Sequence, residues 1–598
     1  MNYKNIYESI KEIIADTARD IWGLDNTISQ SFTIEIPKEK IHGHISTNAA
    51  MTIAGILKKS APNAGASIAA KDIALIIRDQ LSNNEHFESI EVAGPGFINF
   101  TLKNWTLHKM LNSILADGEN FGKTNVGKGQ KINIEFVSAN PTGPMHIGHS
   151  RPAIYGDVLA SVMKFLGFDV TKEYYINDAG GQIEKLTKSA YLRYKEALGE
   201  IIEIPSGYYP GEYLKDVASQ IKKEYGEKYL NKLDNLPDQD SFDNEVTKAE
   251  FSSIVINKML NLIKKDLADL NIFHDVFYSE QSLHLNGTII NAVEYLKKQN
   301  LIYEGQLEAP KGDIDLDWQN RDQLLFKSTL FGDDQDRSLT KLGGEWTYFA
   351  GDIGYAKSKI DRGFKENIII LGADHAGYVK RLKAVYSALS SNTASLEIIL
   401  CQMVNFIENG QQVKMSKRAG SFTTVADAQR EVGADVLRFM MLTRRNDVVL
   451  DFDLDLVKTI SKENPVFYVQ YARVRAISII NNAKENAPEI YKKFESKDYD
   501  LSHLALDQEI YLIRDLSLFP RMLSSAISKG ELHKLAYYVQ NIAAEFHSFW
   551  NLGKENEEYR FINDNVDLSS ARLALVNAIL CVLTTSLRLM GITPMDKM

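Results

Sequence analysis

Cysteine is nearly absent from this chain, with Cys401 and Cys581 the only two in 598 residues. So few, so far apart, exclude a disulfide framework and a cysteine-rich zinc site, and point to a reducing cytoplasm. A net basic charge is missing as well. Lys and Arg number 68 against 78 Asp and Glu, a balance of −10. That excludes a general polycationic nucleic-acid coat, while local Lys/Arg patches can still grip phosphate. No signal-peptide apolar block opens the sequence, because residues 1–16 mix Lys, Glu and apolar residues at helical spacing. The longest apolar stretch, 573–589, contains Asn577, Thr584, Thr585 and Ser586 and has Arg572 and Arg588 near its ends. A buried helix is expected there, not a membrane span. The sequence has no internal repeat. What remains is ordinary globular composition, 44% hydrophobic and 24% charged. Its length predicts about three to five domains.

The periodicity divides the chain. Residues 1–115 read as an α+β module, with helical spacing over 5–22 and 70–82 and extended runs at 31–36 and 90–102, the last broken by Gly94-Pro95-Gly96. A polar, Gly-rich linker covers 116–130. Its segment Gly118-Glu119-Asn120-Phe121-Gly122-Lys123-Thr124 superficially resembles a phosphate-binding P-loop, but has three residues between its glycines where four are needed. It also follows a helical pattern where the motif requires a strand. From 131 to 455 the pattern is doubly wound α/β: strands at 131–138, 170–176, 367–372 and 396–404, helices at 153–166 and 378–388. A mixed insertion at about 185–340 interrupts it, with helices at 252–270 and 288–298. Helical spacing dominates 456–598, over 467–483, 509–528, 532–549 and 569–590, and predicts an all-α C-terminal domain.

Two motifs carry chemistry. His146-Ile147-Gly148-His149 lies between a strand and a helix, where orphan N–H groups and the helix dipole favour an anion. Gly148 lets a flat ligand approach the backbone, and the two imidazoles can donate to phosphoryl oxygens as charge develops. Taken alone they read equally well as capping or core histidines. Neither an HExxH pattern nor a nearby third ligand supports zinc. Lys414-Met415-Ser416-Lys417-Arg418 follows Glu408-Asn409-Gly410. It suits a mobile clamp on a triphosphate, although a charge run is usually a solvated loop. Co-occurrence in one interrupted α/β domain decides for the clamp.

The chain resembles class I aminoacyl-tRNA synthetases, and among them the arginyl-tRNA synthetase family. The resemblance runs through residues 134–149 (Ile134-Glu135-Phe136 to Gly148-His149), Tyr348-Phe349-Ala350-Gly351-Asp352-Ile353, Gly94-Pro95-Gly96-Phe97-Ile98-Asn99-Phe100 and 467–475, and is least secure between about 185 and 340. It implies a Rossmann-type catalytic domain, an N-terminal tRNA-contacting module and a helical anticodon-binding domain. A guanidinium is a planar, permanently charged donor fork, so its pocket should offer carboxylates. Glu135 and Asp352 supply them, with Glu135 near the end of its strand and Tyr348 four residues before Asp352. By resemblance, Glu135 and Asn140 contact the amino-acid end and Tyr348 and Asp352 the guanidinium. Without the resemblance, Glu135 reads as a buried structural carboxylate paired with a local cation, and Tyr348 and Asp352 as a helix-start aromatic and cap. Gly372-Ala373-Asp374-His375 resembles the segment that approaches the ATP ribose, and the division of labour between Asp374 and His375 stays open. Met403 and Val404 flank adenine.

The implied partners are ATP with Mg²⁺, L-arginine and tRNA(Arg). Neither a membrane nor DNA is expected, nor a structural metal, and the enzyme is expected to be a cytoplasmic monomer. The implied chemistry makes arginyl-adenylate and pyrophosphate and then esterifies the tRNA 3′ end, with the tRNA needed for the first step. His146 and His149 stabilise the α-phosphate, with His146 and His375 also among the arginine contacts, while Lys414 and Lys417 hold the departing pyrophosphate and Ser416 joins the ATP-binding residues. Tyr471 and Arg475, four residues apart, are the candidate anticodon contacts, against a packing tyrosine and a surface arginine. Three alternatives remain: a class I synthetase for another amino acid, a small nucleotidyltransferase, and a non-catalytic RNA-binding paralogue.

Overall fold

The computed structural model describes residues 6–37, 39–60, 68–233, 242–307, 322–341, 343–412, 424–459 and 463–598. The chain forms two compact units. One comprises residues 124–459 with 590–592, the other residues 1–123 with 460–589 and 593–598.

The first unit is built on a five-stranded parallel sheet. Its strands are β1 (Lys131–Glu135), β2 (Asp169–Ile176), β3 (Val276–Ser279), β4 (Glu366–Gly372) and β5 (Ser395–Cys401), in spatial order β3-β2-β1-β4-β5. The order reverses between β1 and β4, so a crevice opens at the carboxyl ends of those two strands. Burial explains the sequence of β1: Ile132, Asn133 and Ile134 are fully buried and Glu135 nearly so, as expected for a central strand covered on both faces. Helix α1 (Ser150–Phe165) follows β1 and is buried along most of its length. Helix α2 (Tyr348–Asp361) starts at Thr347, whose hydroxyl accepts from the Ala350 N–H, the usual N-cap device. Three further helices, Gly181–Ala197, Tyr213–Tyr225 and Phe242–Asp269, form a cluster with a core of its own around Leu186, Tyr194, Leu214 and Phe251.

Several predicted elements change at their ends. The strand expected over 131–138 stops at Glu135, because Val137 and Ser138 take φ of +71° and +42°. The run 396–404 splits: β5 ends at Cys401, and Val404–Glu408 joins a second sheet with Gln411–Gln412 and Leu450–Asp453. β3 falls inside the stretch 185–340, so the parallel sheet continues where an interruption was expected.

In the second unit, a four-stranded antiparallel sheet of Ile34–Glu35, Ile45–Thr47, Phe97–Leu102 and Phe87–Ala93 packs with helices that include Ile6–Trp22 and Ala70–Leu81. The predicted run 31–36 shortens to Ile34–Glu35. A helix, Asn104–Asp117, precedes the glycines at 118 and 122, as the reading against a P-loop required. The C-terminal helices α3 (Pro465–Asn486), α4 (His533–Glu555) and α5 (Val566–Leu589) form a bundle that shares this unit with the N-terminal module. His108 Nε2 donates to Leu504 O at 2.8 Å across that junction. The run 509–528 is two helices, Asp507–Leu516 and Phe519–Ser528. Pro520 cannot continue a helix from Leu516, four residues earlier, but fits the first turn of a new one. α5 is long and apolar enough to cross a membrane, yet Leu573, Leu575, Leu583 and Leu587 are fully buried within the bundle.

Candidate active site

Glu135 ends β1, Asn140, His146 and His149 follow it, and Asp374 and His375 follow β4, at the point where the strand order reverses. After β1 the chain makes the turn containing Val137, then the loop bearing Asn140, then a short 3₁₀ turn, Ile147–His149, that leads into α1. The two histidines cap this turn reciprocally. Gly148 N–H donates to His146 Nδ1 at 3.1 Å, and His146 N–H donates to His149 Nδ1 at 3.1 Å. With both Nδ1 atoms accepting, each neutral imidazole carries its proton on Nε2 and is set as a donor. Burial and the neighbouring His146 lower the pKa of His149, against the pull of Asp374. His149 is therefore neutral near pH 7, and Asp374 belongs to its surroundings. The ring centroids lie 6.4 Å apart, nearly perpendicular. The capping role and the donor role are thus both present, the first creating the second.

Lys414, Ser416 and Lys417 lie outside the described residues. The chain that resumes after them does not. Thr424 bridges His146 in an antiparallel pair, and Val425 N–H donates to Met145 O at 2.9 Å. The chain from Thr424 onward is therefore anchored on the histidine turn.

Glu135 is buried. Its Oε2 accepts from Lys359 Nζ at 2.6 Å and its Oε1 from Ser138 Oγ at 3.2 Å. The local reading of a paired carboxylate holds, so Glu135 is not an open acceptor for a guanidinium. Asn140 is exposed and donates from Nδ2 to Gln182 Oε1 at 2.9 Å. Tyr348 and Asp352 do share a helix, as their spacing predicts. Tyr348 is exposed, and a Cβ placed on Gly180 would lie 3.0 Å from its hydroxyl.

Asp352 faces a residue that sequence reasoning missed. Glu280, just past the carboxyl end of β3, is 5% exposed, and its Oε1 would lie 3.8 Å from a Cβ on Gly351. Burial and the charges of Glu280 and Glu135 push Asp352 up to about 7. Burial and Asp178 push Glu280 up to about 7. Asp178 itself is held in place, accepting from Ser279 Oγ at 2.6 Å and Gln281 N–H at 2.8 Å. Neither Asp352 nor Glu280 makes a hydrogen bond or ion pair to a described residue. A buried and a half-buried carboxyl, which Lys341 and Arg381 influence only through their charge, make a receptor for a cation bound directly. The local run Ser279-Glu280-Gln281 carries no motif that announces this. Only the sheet order brings it beside α2.

Other predicted residues are less enclosed. Asp374 and His375 stand exposed after β4, 3.5 Å apart. Met403 is exposed and Val404 half-buried at the start of the second sheet, with Leu450 N–H donating to Met403 O at 3.1 Å. Tyr471 and Arg475 lie in the other unit, on α3. The Arg475 guanidinium lies 4.6 Å from the Tyr471 ring centre and 5.3 Å from that of Trp550. These side chains line a cavity of about 740 Å³ together with Lys554, Tyr559 and Arg560.

A parallel sheet of this order, with a donor-histidine turn at its switch point, defines the catalytic domain of a class I aminoacyl-tRNA synthetase. Profiles of three domains match in sequence: the arginyl-tRNA synthetase N-terminal domain over residues 4–102, the class I (R) tRNA synthetase catalytic domain over 110–449, and the DALR anticodon-binding domain over 469–598. The chain belongs to the arginyl-tRNA synthetase family. It is 50% identical to an arginine–tRNA ligase of Rickettsia africae and 49% identical to one of Rickettsia bellii, each over 99% of this chain and all of the relative. The solved Thermus thermophilus arginyl-tRNA synthetase superposes with a TM-score of 0.69 at 18% identity, covering 99% of this chain and all of that one, and so shares its fold.

Proposed function

We propose that this chain performs its family's ATP-dependent ligation of arginine to tRNA(Arg) with the following division of labour. The guanidinium enters between Asp352 and Glu280, with the Tyr348 hydroxyl beside it. Glu135 and Asn140 take the amino-acid end, with His375 at the edge of the site. One observation carries this reading: the crevice holds two neighbouring, mostly buried carboxyls with no cation bound to them. A fixed guanidinium charge is the partner such a pair selects.

ATP, carried as its Mg²⁺ complex, lies over Gly148. A Cβ there would sit 3.3 Å from His146 Nδ1 and press on the cap. Asp374 takes ribose hydroxyls, Gly372 lets the nucleotide approach, and Met403 and Val404 flank adenine. The arginine carboxylate attacks the α-phosphate, His146 and His149 donate from Nε2 to its oxygens, and Lys414, Ser416 and Lys417 steady the leaving pyrophosphate. Positioning and charge stabilisation supply the rate. The terminal ribose hydroxyl of the tRNA then takes the arginyl group and releases AMP. Tyr471 and Arg475, in their aromatic and cationic cavity, receive anticodon bases by stacking, and the module at 1–115 contacts the tRNA body. We read the enzyme as a cytoplasmic monomer.

ATP–pyrophosphate exchange across the amino acids, with and without tRNA, tests the proposal. Exchange that requires arginine and tRNA(Arg) is expected. Exchange driven by another amino acid, or none under either condition, sinks it.

A further inference from the structure

Among the three carboxylates of the amino-acid pocket, Glu135 alone has its charge answered within the protein. Lys359, which answers it, is fully buried on α2, about two turns beyond Asp352, with its Nζ 4.3 Å from the centre of the Tyr355 ring. Burying an ammonium costs much of what its ion pair returns, and an apolar residue of the same volume would pack at least as well. A lysine here calls for a reason other than stability. It is not a hydrogen-bond partner of the neighbouring acid, although its charge also favours that acid's ionised form. Glu173 accepts from Arg362 at 2.6 and 2.9 Å, from the Tyr355 hydroxyl at 2.6 Å and from Asn133 Nδ2 at 3.0 Å, and that set is complete without Lys359.

The second ligand of Glu135 is held by unusual backbone. Ser138 N–H donates to Phe136 O at 3.1 Å, closing a three-residue turn around Val137 at φ +71°. This is a strained conformation for a β-branched residue. Two bonds from the next strand keep it. Tyr175 N–H donates to Ser138 Oγ at 3.0 Å, and Asn177 Nδ2 donates to Ser138 O at 3.2 Å. The result aims the serine hydroxyl at Glu135 Oε1. Lys359 and Ser138 each occupy one lone pair, so the carboxylate keeps acceptor capacity on both oxygens.

We propose that Lys359, with Ser138, is a positioning residue for arginine binding: the two hold Glu135 as an oriented anion that receives the α-ammonium of the amino acid. This rests on the reading of Glu135 as an amino-acid contact. Lys359→Met keeps the stem and removes the charge. It raises the KM for arginine at least tenfold and leaves that for ATP within twofold. Because Lys359 acts through Glu135, the double variant E135Q/K359M binds arginine no worse than E135Q. An arginine KM unmoved in K359M, with only the melting temperature lowered, overturns the proposal. So does a double variant whose defect equals the product of the two single ones. An arginine KM unmoved in E135Q removes the underlying reading as well, which separates the two failures. Should K359M not fold, Ser138→Ala decides: a rise of about threefold supports the device, and an unchanged KM overturns it.

Discussion

Carboxyls raised by burial and by neighbouring acids keep protons until a cation replaces them, and this sets the pH behaviour of the pocket. Asp352 and Glu280 stand at about 7 in the folded enzyme, against ordinary values of 3.8 and 4.5. The folded state thus binds protons that the unfolded chain releases at about pH 4 to 5. The stability this contributes is full below that range and is lost as pH rises through 7. Arginine binding needs the ionised form, so it opposes that loss. The KM for arginine should fall roughly tenfold from pH 6 to pH 8 for one carboxyl released, and added arginine should raise the melting temperature more at pH 8 than at pH 6. A flat profile would contradict the assignment. Asp352→Asn should cost about 1.5–3 kcal/mol of arginine affinity, or roughly tenfold to a hundredfold, and should flatten the pH dependence, with ATP affinity kept. His146, His149, Asn140 and Asp352 were legible because each sits in a contiguous run whose neighbours share its task. Glu280 and Lys359 were not. Their relation to the pocket is made by strand order and helix packing between distant segments, which local spacing does not encode.

Elements were legible wherever burial repeats over several turns, as in Thr288–Lys298, which matches its periodicity at both ends. They were misjudged where one residue overrides the pattern. Val137 ends β1 despite its strand propensity, because the turn is tied to β2 by Tyr175 and Asn177. β3 has four residues, too few to show a period against the helical stretches around it. Pro520 divides a run whose hydrophobic spacing is otherwise unbroken. Within the helical bundle, a buried ion pair joins two elements. Arg572 on α5 donates from Nε to Glu509 Oε1 at 2.7 Å and from Nη1 to Arg560 O at 2.6 Å, and both members of the pair are buried. Removing one charge leaves the other stranded, so Arg572→Met should cost about 3–5 kcal/mol. That corresponds to a melting shift of roughly 6–20 °C for a unit of this size. Arg572→Met with Glu509→Gln should recover part of it. A single variant that melts with the wild type would show the pair to be dispensable.

On the scale of the whole molecule, the proposed binding tasks fall in different compact units. The carboxylates lie in one, the aromatic and cationic cavity of α3 and α4 in the other. Groups without shared partners should contribute additively. The cavity is prepared for a flat π surface. Arg475 is stacked against Tyr471 and Trp550, and His547 reinforces it: its ring lies 5.5 Å from that of Tyr471 and its Nδ1 accepts from Arg475 Nη1. Burial lowers His547 to about 4, so at neutral pH it is an uncharged acceptor that does not repel the guanidinium. Base stacking on such a platform is worth about 1–3 kcal/mol per base. Tyr471→Ala or Arg475→Ala should therefore raise the KM for tRNA(Arg) roughly fivefold to a hundredfold. Calorimetric binding of arginine to the same variants without tRNA should be unchanged. Arg475→Ala should also lessen the salt dependence of tRNA binding if the base engages near a phosphate. The opposite pattern, weakened arginine binding with an unmoved tRNA KM, would mean that the helical unit supports the pocket and reads no nucleotide, and the anticodon assignment of Tyr471 and Arg475 would fall.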